Sequence, residues 1–497
     1  MPQDKEWSPK RSGGRRLEGN MMRMGRRKFL GSAVAGLVTV PAILEAGPRA
    51  TDIRIEEVTT DYVDYHYRVP IKFGGVVTDR ATILNVNCVV SSKGGKAAKG
   101  FGSMPLSNTW SFPSRKVSHA DTLEAMKRLS TRISQITARY KEYGHPIDLN
   151  YALQPTYLTA AEEVTQEMRL AEPVPKLCTE VTASAFDAAV HDAFGKLHGL
   201  NCYYTYGPEF MTYDLSHYAG PEYNGEYPSQ YLLKEPKPRM PLYHLVGAVD
   251  ALEDSDIKQR VNDGLPETLS EWINFNGLTH LKIKLNGDDA KWDVERVVRV
   301  DRITTTTQRK RGVKEWFYSL DFNERCPNVQ YLVDFLNAVK AQTPDGFERI
   351  QYVEQPTARD LKSHRENAMQ AASKIKPVVI DESLTDLESL LLSREMGYTG
   401  AALKACKGQS FMMIATSVAE KQKMFLCVQD LTCPGASLIQ SASLAAHVPD
   451  VMAIEANSRQ YMPIANKGWE KRFPGVFIIK DGYMETGHLN GLGIGAV

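Results

Sequence analysis

The stretch His280-Leu-Lys-Ile-Lys-Leu285 alternates strictly between apolar and polar residues. In a strand, Leu281, Ile283 and Leu285 fall on one face and His280, Lys282 and Lys284 on the other. On an exposed sheet the two lysines would simply be solvated. The surrounding sequence points elsewhere. Between about Pro241 and Glu455 lie seven more short apolar runs: YHLVGAV, FYSLDF, IQYVEQP, PVVIDES, GAALKA, MFLCVQD and VMAIEA. Helical stretches separate them. This alternation predicts a parallel sheet with crossover helices, and eight units are the count of a closed βα barrel. No fixed short repeat suggests a solenoid. Inside a barrel the lysine face points at the lumen, where a charge needs a partner or a task.

The ends of the runs supply both. In FYSLDFNE, Ser319, Asp321 and Asn323 share one face; Glu354 ends IQYVE, Asp381 ends VVID, and Lys404 ends GAALK. A lone carboxylate at a strand end is ordinarily a helix cap or a solvated loop residue. Five successive strands finishing in Lys282/Lys284, Asp321, Glu354, Asp381 and Lys404 form a constellation. Three carboxylates converging on a barrel mouth repel one another unless a cation lies between them. An all-oxygen set with no His or Cys suits Mg²⁺, with Mn²⁺ as the alternative, rather than zinc. A carboxylate substrate held by such a cation can lose its α-proton, because the metal stabilises the enediolate. A lysine serves as base when burial and a neighbouring cation lower its pKa. On this reading Lys282 tunes and positions Lys284, which takes the proton.

The rest of the chain is ordinary in bulk. Its 497 residues are 42% hydrophobic and 24% charged, with a formal net charge of +1. That balance gives no reason to expect nucleic acid or a membrane surface as partner. The seven cysteines, an odd number without paired CxxC spacing, form neither a zinc framework nor a disulfide scaffold. Residues 1–50 read as a signal region. Arg26-Arg27-Lys28-Phe29-Leu30 precedes the apolar run GSAVAGLVTVPAIL, as in a twin-arginine export signal. The run is too short for a stable membrane span. The expected location is periplasmic or membrane-attached, or cytoplasmic if this segment is only a basic tail. Residues 51–200 read as an α+β region, with strands over 52–65 and 81–91, a turn at Gly94-Gly95, and helices over 119–142, 158–171 and 182–198. Residues 201–239, rich in Tyr, Pro and Gly, read as an irregular insertion. The barrel spans 240–456, and a C-terminal segment follows over 457–497.

These motifs resemble the enolase superfamily, in particular its mandelate racemase/muconate lactonizing enzyme family, nearest the muconate lactonizing enzyme and dipeptide epimerase branch. The KxK motif appears as Lys282-Ile283-Lys284, the metal motifs as LDFN, VEQP and IDES, and the sixth-strand lysine as Lys404 in ALKACKG. The segment AFDAAVHDAFGKLHG is similar to the family's passage into the barrel, and RVPIKFGG to its substrate-loop region. The resemblance covers roughly residues 52–497. It implies a modified (β/α)8 barrel with an α+β capping domain completed by the C-terminal segment. It also implies Mg²⁺ on Asp321, Glu354 and Asp381, acid–base lysines Lys284 and Lys404, and a small carboxylate substrate of a homo-oligomer. Capping loops near Lys72-Phe73-Gly74-Gly75 and between Gly102 and Trp110 would select the substrate. The chain departs from the pattern in three places. Lys407 follows Lys404 where a paired glycine is usual. The eighth strand carries Glu455 in place of the dipeptide epimerases' Asp-x-Asp. Asp430 ends the seventh strand and is a further candidate for a substrate polar group. Arg459 and Tyr461 follow the eighth strand and are candidates to reach the site. The expected activity is a racemase or epimerase; the alternatives are a cycloisomerase, an acid-sugar dehydratase, or an exported non-catalytic binder of small acids.

Overall fold

The computed structural model describes residues 47, 49–73 and 76–495. The twin-arginine stretch and Gly74-Gly75 of the expected substrate loop lie outside the described residues. From Gly47 onward the chain forms one compact unit.

It begins with a three-stranded antiparallel sheet, β1 (Ile53–Phe73), β2 (Val76–Ser92) and β3 (Ala97–Pro105), in that order. Leu84, Val86, Cys88 and Val90 recur every second residue on β2 and are buried. They pack under helices α1 (His119–Arg139), α2 (Pro146–Glu167) and α3 (Lys176–His198). β1 runs on past residue 65, where its sequence alternation had suggested an end. Its register with β2 shifts between His66 and Ile71, so Pro70 sits at an irregularity in the ladder. Beyond that point β1 and β2 form a two-stranded ribbon, because β3 pairs with β2 only over Ile83–Ser91. The second helix starts at Pro146 rather than 158. It carries Pro155 in its interior, a residue that ordinarily marks a break. The third starts at Lys176, six residues before its apolar pattern is unambiguous, and stops at Gly199 in the left-handed conformation (φ 70°).

α3 lies very close to β3. A Cβ on Gly102 would sit 1.9 Å from the Ala185 carbonyl oxygen. Both partners are backbone, so neither yields cheaply. Gly102→Ala is expected to destabilise the protein by about 1–3 kcal/mol, read as a lower urea midpoint.

The barrel contains all eight expected strands: β4 (Arg239–Val246), β5 (His280–Lys284), β6 (Phe317–Asp321), β7 (Ile350–Glu354), β8 (Val378–Ile380), β9 (Gly400–Leu403), β10 (Phe425–Gln429) and β11 (Ile454–Glu455). Neighbours are parallel, and β11 pairs back onto β4 through Ile454–Leu242 and Glu455–Tyr243, closing the ring. A short strand, β12 (Tyr483–Glu485), adds antiparallel to β4. The lower lumen is filled by Tyr243, Tyr352, Val379, Ala402, Cys427 and Ala453. All seven cysteines are buried free thiols. No helix among the described residues is long and apolar enough to cross a membrane.

The irregular insertion consists of single turns and docks on the helix Gly435–His447: Leu233 N donates to the His447 carbonyl, and Tyr203 stacks on the His447 ring at 3.7 Å. The C-terminal segment returns to the capping helices, where Ile494 N donates to Asp192 Oδ1 on α3 at 3.0 Å.

Candidate active site

Strand register gathers the polar residues. Lys284 pairs with Asp321, Asp321 with Glu354, and Glu354 with Val379, two residues before Asp381. Lys404 directly follows β9, Asp430 directly follows β10, and Glu455 ends β11. Three of the loops after these strands are bent through backbone that side chains rarely adopt. Asn323 (φ 43°), Glu324 (φ 59°), Gln355 (φ 29°) and Thr432 (φ 56°) are all left-handed without being glycine. Such strain persists where the surroundings over-determine it, and it clusters at functional sites.

Lys282 is the hub. Its Nζ lies 2.8 Å from Glu354 Oε2, 3.1 Å from Asp321 Oδ2 and 3.0 Å from Glu455 Oε2, and donates to Gln429 Oε1 at 3.2 Å. Lys284 pairs with the same Asp321 and donates to Asn323 Oδ1 at 2.9 Å. Both lysines of ALKACKG converge on Asp381. Lys404 Nζ is 2.6 Å from Oδ2 and Lys407 Nζ 3.2 Å from Oδ1. They differ in what else they face. Lys404 lines the cavity at the barrel mouth, with the Trp110 ring centre 4.6 Å away. Lys407 lines a separate recess beside Glu180.

The capping part closes the mouth. Phe73, from the ribbon tip, lies 5.7 Å from Lys284 Nζ, and Trp110 donates from Nε1 to Glu382 Oε1 at 2.9 Å. Asn323 Nδ2 also donates to Glu382 Oε1, and Arg359, paired with Glu324, donates to the Trp110 carbonyl. What remains between Phe73, Trp110, the lysines, Asp430 and Glu455 is about 10 Å³, room for a single water. Trp110→Phe would leave Glu382, 1% exposed, without one of its donors. It is expected to cost about 1–3 kcal/mol of unfolding free energy, measured by chemical denaturation.

Some expected site residues point elsewhere. Lys72 donates to Asn286 Oδ1 at 2.8 Å and lines a small neighbouring space with Lys284 and Asn323. Glu455 reaches the cavity but is already engaged by Lys282 and Asn457. Asp430 lines the cavity and is held by the amides of Thr432 and Cys433 at 3.0 and 3.1 Å. Arg459 turns away to the Phe477 carbonyl and Asn276, and Tyr461 to Asp250. Other polar members had not been singled out: Gln429, Glu382 and Asn457. Glu382 had a signal, since it adjoins Asp381 in IDES. Gln429 and Asn457 had none beyond their place near strand ends.

The electrostatics are lopsided. Burial opposes charge on Lys282, but Glu354, Glu455 and Asp321 outweigh it and hold its pKa well above the usual lysine range. Lys282 is therefore a compensated cation, shared by three carboxylates. Burial also opposes charge on Asp321, yet Lys284 and Lys282 keep it below the carboxylate range; Lys404 and Lys407 do the same for Asp381. Burial, reinforced by Asp321, pushes Glu354 up. Burial and the neighbouring Asp381 push up Glu382, and burial and Glu455 push up Asp430.

Six buried carboxyl groups (Asp321, Glu354, Asp381, Glu382, Asp430, Glu455) thus face four lysines (Lys282, Lys284, Lys404, Lys407). The carboxyl groups outnumber the lysines, and a bound cation would offset part of that excess of negative charge. Both carboxylate oxygens of Asp381 are buried, and each has a lysine ammonium as its neighbour. The donor set is hard oxygen, as Mg²⁺ requires. The residues fit the ion in kind and charge. Among the described residues no three acidic, His or Cys groups stand arranged as a ready cation cage, since Lys282 Nζ lies among the carboxylates.

Residues 265–496 match the family described as Enolase C-terminal domain-like. That match spans most of the barrel and the C-terminal segment, a little under half of the chain, and the fold as a whole is like that of the solved structures that follow. The structure is similar to the dipeptide epimerase of Enterococcus faecalis V583 solved with Mg and the dipeptide L-Leu-L-Tyr, at 16% identity, 89% of this chain, 99% of that chain and a TM-score of 0.57. It is similar to the muconate lactonizing enzyme of Pseudomonas fluorescens solved with muconolactone, at 14% identity, 89% and 96% coverage and a TM-score of 0.56. It is also similar to an enolase from Bradyrhizobium solved with magnesium and mandelic acid, at 14% identity, 90% and 97% coverage and a TM-score of 0.57. No curated protein matches the sequence.

Proposed function

We propose that the protein abstracts the proton α to a substrate carboxylate with the help of Mg²⁺, and that it is a racemase or epimerase. One observation carries this reading. Lys284 follows from β5 and Lys404 from β9, four steps apart in a ring of eight strands, yet both line the same mouth cavity. Two lysines on opposite sides of one small space are placed to act on opposite faces of a carbon, one as a neutral amine that takes the α-proton and the other as an ammonium that returns one.

Asp321, Glu354 and Asp381 would hold the Mg²⁺, which when bound stabilises the charge gathering on the substrate carboxylate as the α-proton leaves. Lys284 is held by Asp321 and Asn323, so its Nζ has a fixed origin for the transfer. Lys404, held by Asp381, takes the mirror role. Lys282 keeps the carboxylates apart and oriented. Phe73 and Trp110 exclude water, which strengthens every charge interaction beneath them. Among the described residues no histidine lines the mouth cavity, so a His–Asp pair for acid-sugar dehydration finds no support there. A cycloisomerase needs only one of the two lysines.

The test is proton exchange. The protein with Mg²⁺ is incubated in D₂O with pooled dipeptides, N-acyl amino acids and acid sugars, and mass spectrometry reads deuterium at the α-carbon. Exchange that EDTA abolishes is the expected result. Mg²⁺ binding with no exchange in any pool would favour the non-catalytic binder. We further propose that residues 1–50 direct twin-arginine export, supported by the Arg26-Arg27 pair and the apolar run after it. A reporter fused to them should cease to be exported when both arginines become lysine.

A further inference from the structure

The mouth cavity, at about 10 Å³, is too small for any organic acid. A second cavity of about 590 Å³ lies beside it, within the range of small-molecule sites. It sits at the C-terminal end of β4, between the ribbon tip of β1 and β2, the 247–268 loop and the helix Leu269–Asn276. That is the end of a barrel at which ligands bind. Leu245 lines both cavities.

The larger cavity is built to receive apolar matter. Its wall includes Val69, Val246, Ile257, Leu269 and Trp272. Its charged groups are engaged by protein partners: Arg68 by Asp263, Asp250 by Tyr461 and the Gly247 amide, Asp256 by Arg299, and Glu267 by the Val261 and Asn262 amides. Lys258 is exposed at the surface. Three valines at the rim remain open to solvent, Val77 at 56%, Val249 at 50% and Val261 at 43%.

The partition between the cavities is thin. Leu245 packs with Ile71, Tyr461 and Phe73. Its backbone is pinned on both sides by Gln460, which accepts from its N–H at 3.3 Å and donates to its carbonyl at 3.0 Å. The strand therefore stays in place, and a change of the Leu245 rotamer would join the two spaces.

We propose that the larger cavity takes the distal apolar group of the substrate, an acid whose carboxylate lies among the lysines, with Leu245 as the partition it displaces. This rests on the proton-abstraction reading above and narrows its substrate class to carboxylates with a sizeable apolar tail.

The experiment uses the full chain with Mg²⁺ and a series of N-acylglycines from acetyl to octanoyl. Calorimetry measures affinity, and mass spectrometry in D₂O measures exchange at the glycine α-carbon. Affinity is expected to rise about fourfold per added methylene until the cavity is filled. Val249→Trp and Ala251→Trp place a large ring at partly exposed rim positions where folding is not at stake, and a thermal melt checks this. In both, the rise should fall below about twofold per methylene. No binding, affinity independent of chain length, or a rise retained in both variants would overturn the proposal. Exchange without a chain-length effect overturns the cavity inference alone. A chain-length effect lost in the variants, without exchange, leaves the cavity standing and overturns the proton-abstraction reading.

Discussion

Lys284→Ala should lower α-proton exchange by about 10²–10⁴-fold, the range that a positioned acid–base group contributes. Lys284 lines the mouth cavity, buried, with Asp321 and Asn323 fixing its Nζ. Alanine removes the proposed proton acceptor and leaves Asp321, Glu354 and Asp381 in place, so Mg²⁺ affinity should not fall. Exchange kinetics in D₂O and calorimetric Mg²⁺ titration check the two halves separately. The same replacement at Lys404 distinguishes reactions. If the protein racemises through two lysines, each variant loses interconversion of the enantiomers. If Lys404→Ala retains turnover, the chemistry needs one base, and cycloisomerisation becomes the better reading. Exchange at wild-type rate in Lys284→Ala would remove this lysine from the mechanism altogether.

The second large effect falls on stability. Lys282→Met keeps the volume of the chain but removes the cation among Asp321, Glu354 and Glu455, which are 0%, 0% and 3% exposed. Breaking a buried ion pair from one side typically costs about 3–5 kcal/mol, because the remaining charge stays buried without a partner. A loss of that order is expected in urea denaturation without metal. Mg²⁺ should restore part of it by supplying the missing positive charge, so added Mg²⁺ should stabilise the variant more than the wild type. An unchanged denaturation midpoint would show that the carboxylates are compensated by other means. A variant indifferent to Mg²⁺ would argue that these carboxylates do not receive the ion.

Several features were legible without coordinates because they repeat along the chain. The eight strands were visible because each is a short apolar run between helical stretches. The register of Lys284, Asp321, Glu354, Asp381 and Lys404 was visible because all occupy the same point of a repeating unit. The ribbon beyond residue 65 was not, because two exposed strands with an interrupted ladder leave no clean alternation. Helix α2 was placed late because Pro155 reads as a break, and packing against α1 and α3 overrides that propensity.

The sequence by itself determined the barrel, the lumenal side of the lysines and the oxygen-only set of carboxylates, since periodicity of two and strand-end position are local properties. Partner choice required the tertiary structure, because it depends on distances between strands far apart in the chain. Only there does Lys282 emerge as an ammonium shared by three carboxylates rather than a bare cation beside Lys284. Only there do both Lys404 and Lys407 meet Asp381, Lys72 turn to Asn286, and Glu382 tie Trp110 over the mouth. The cavity beside β4 belongs to the same class: its walls come from the ribbon, a barrel strand, a loop and a helix, and no stretch of sequence contains it.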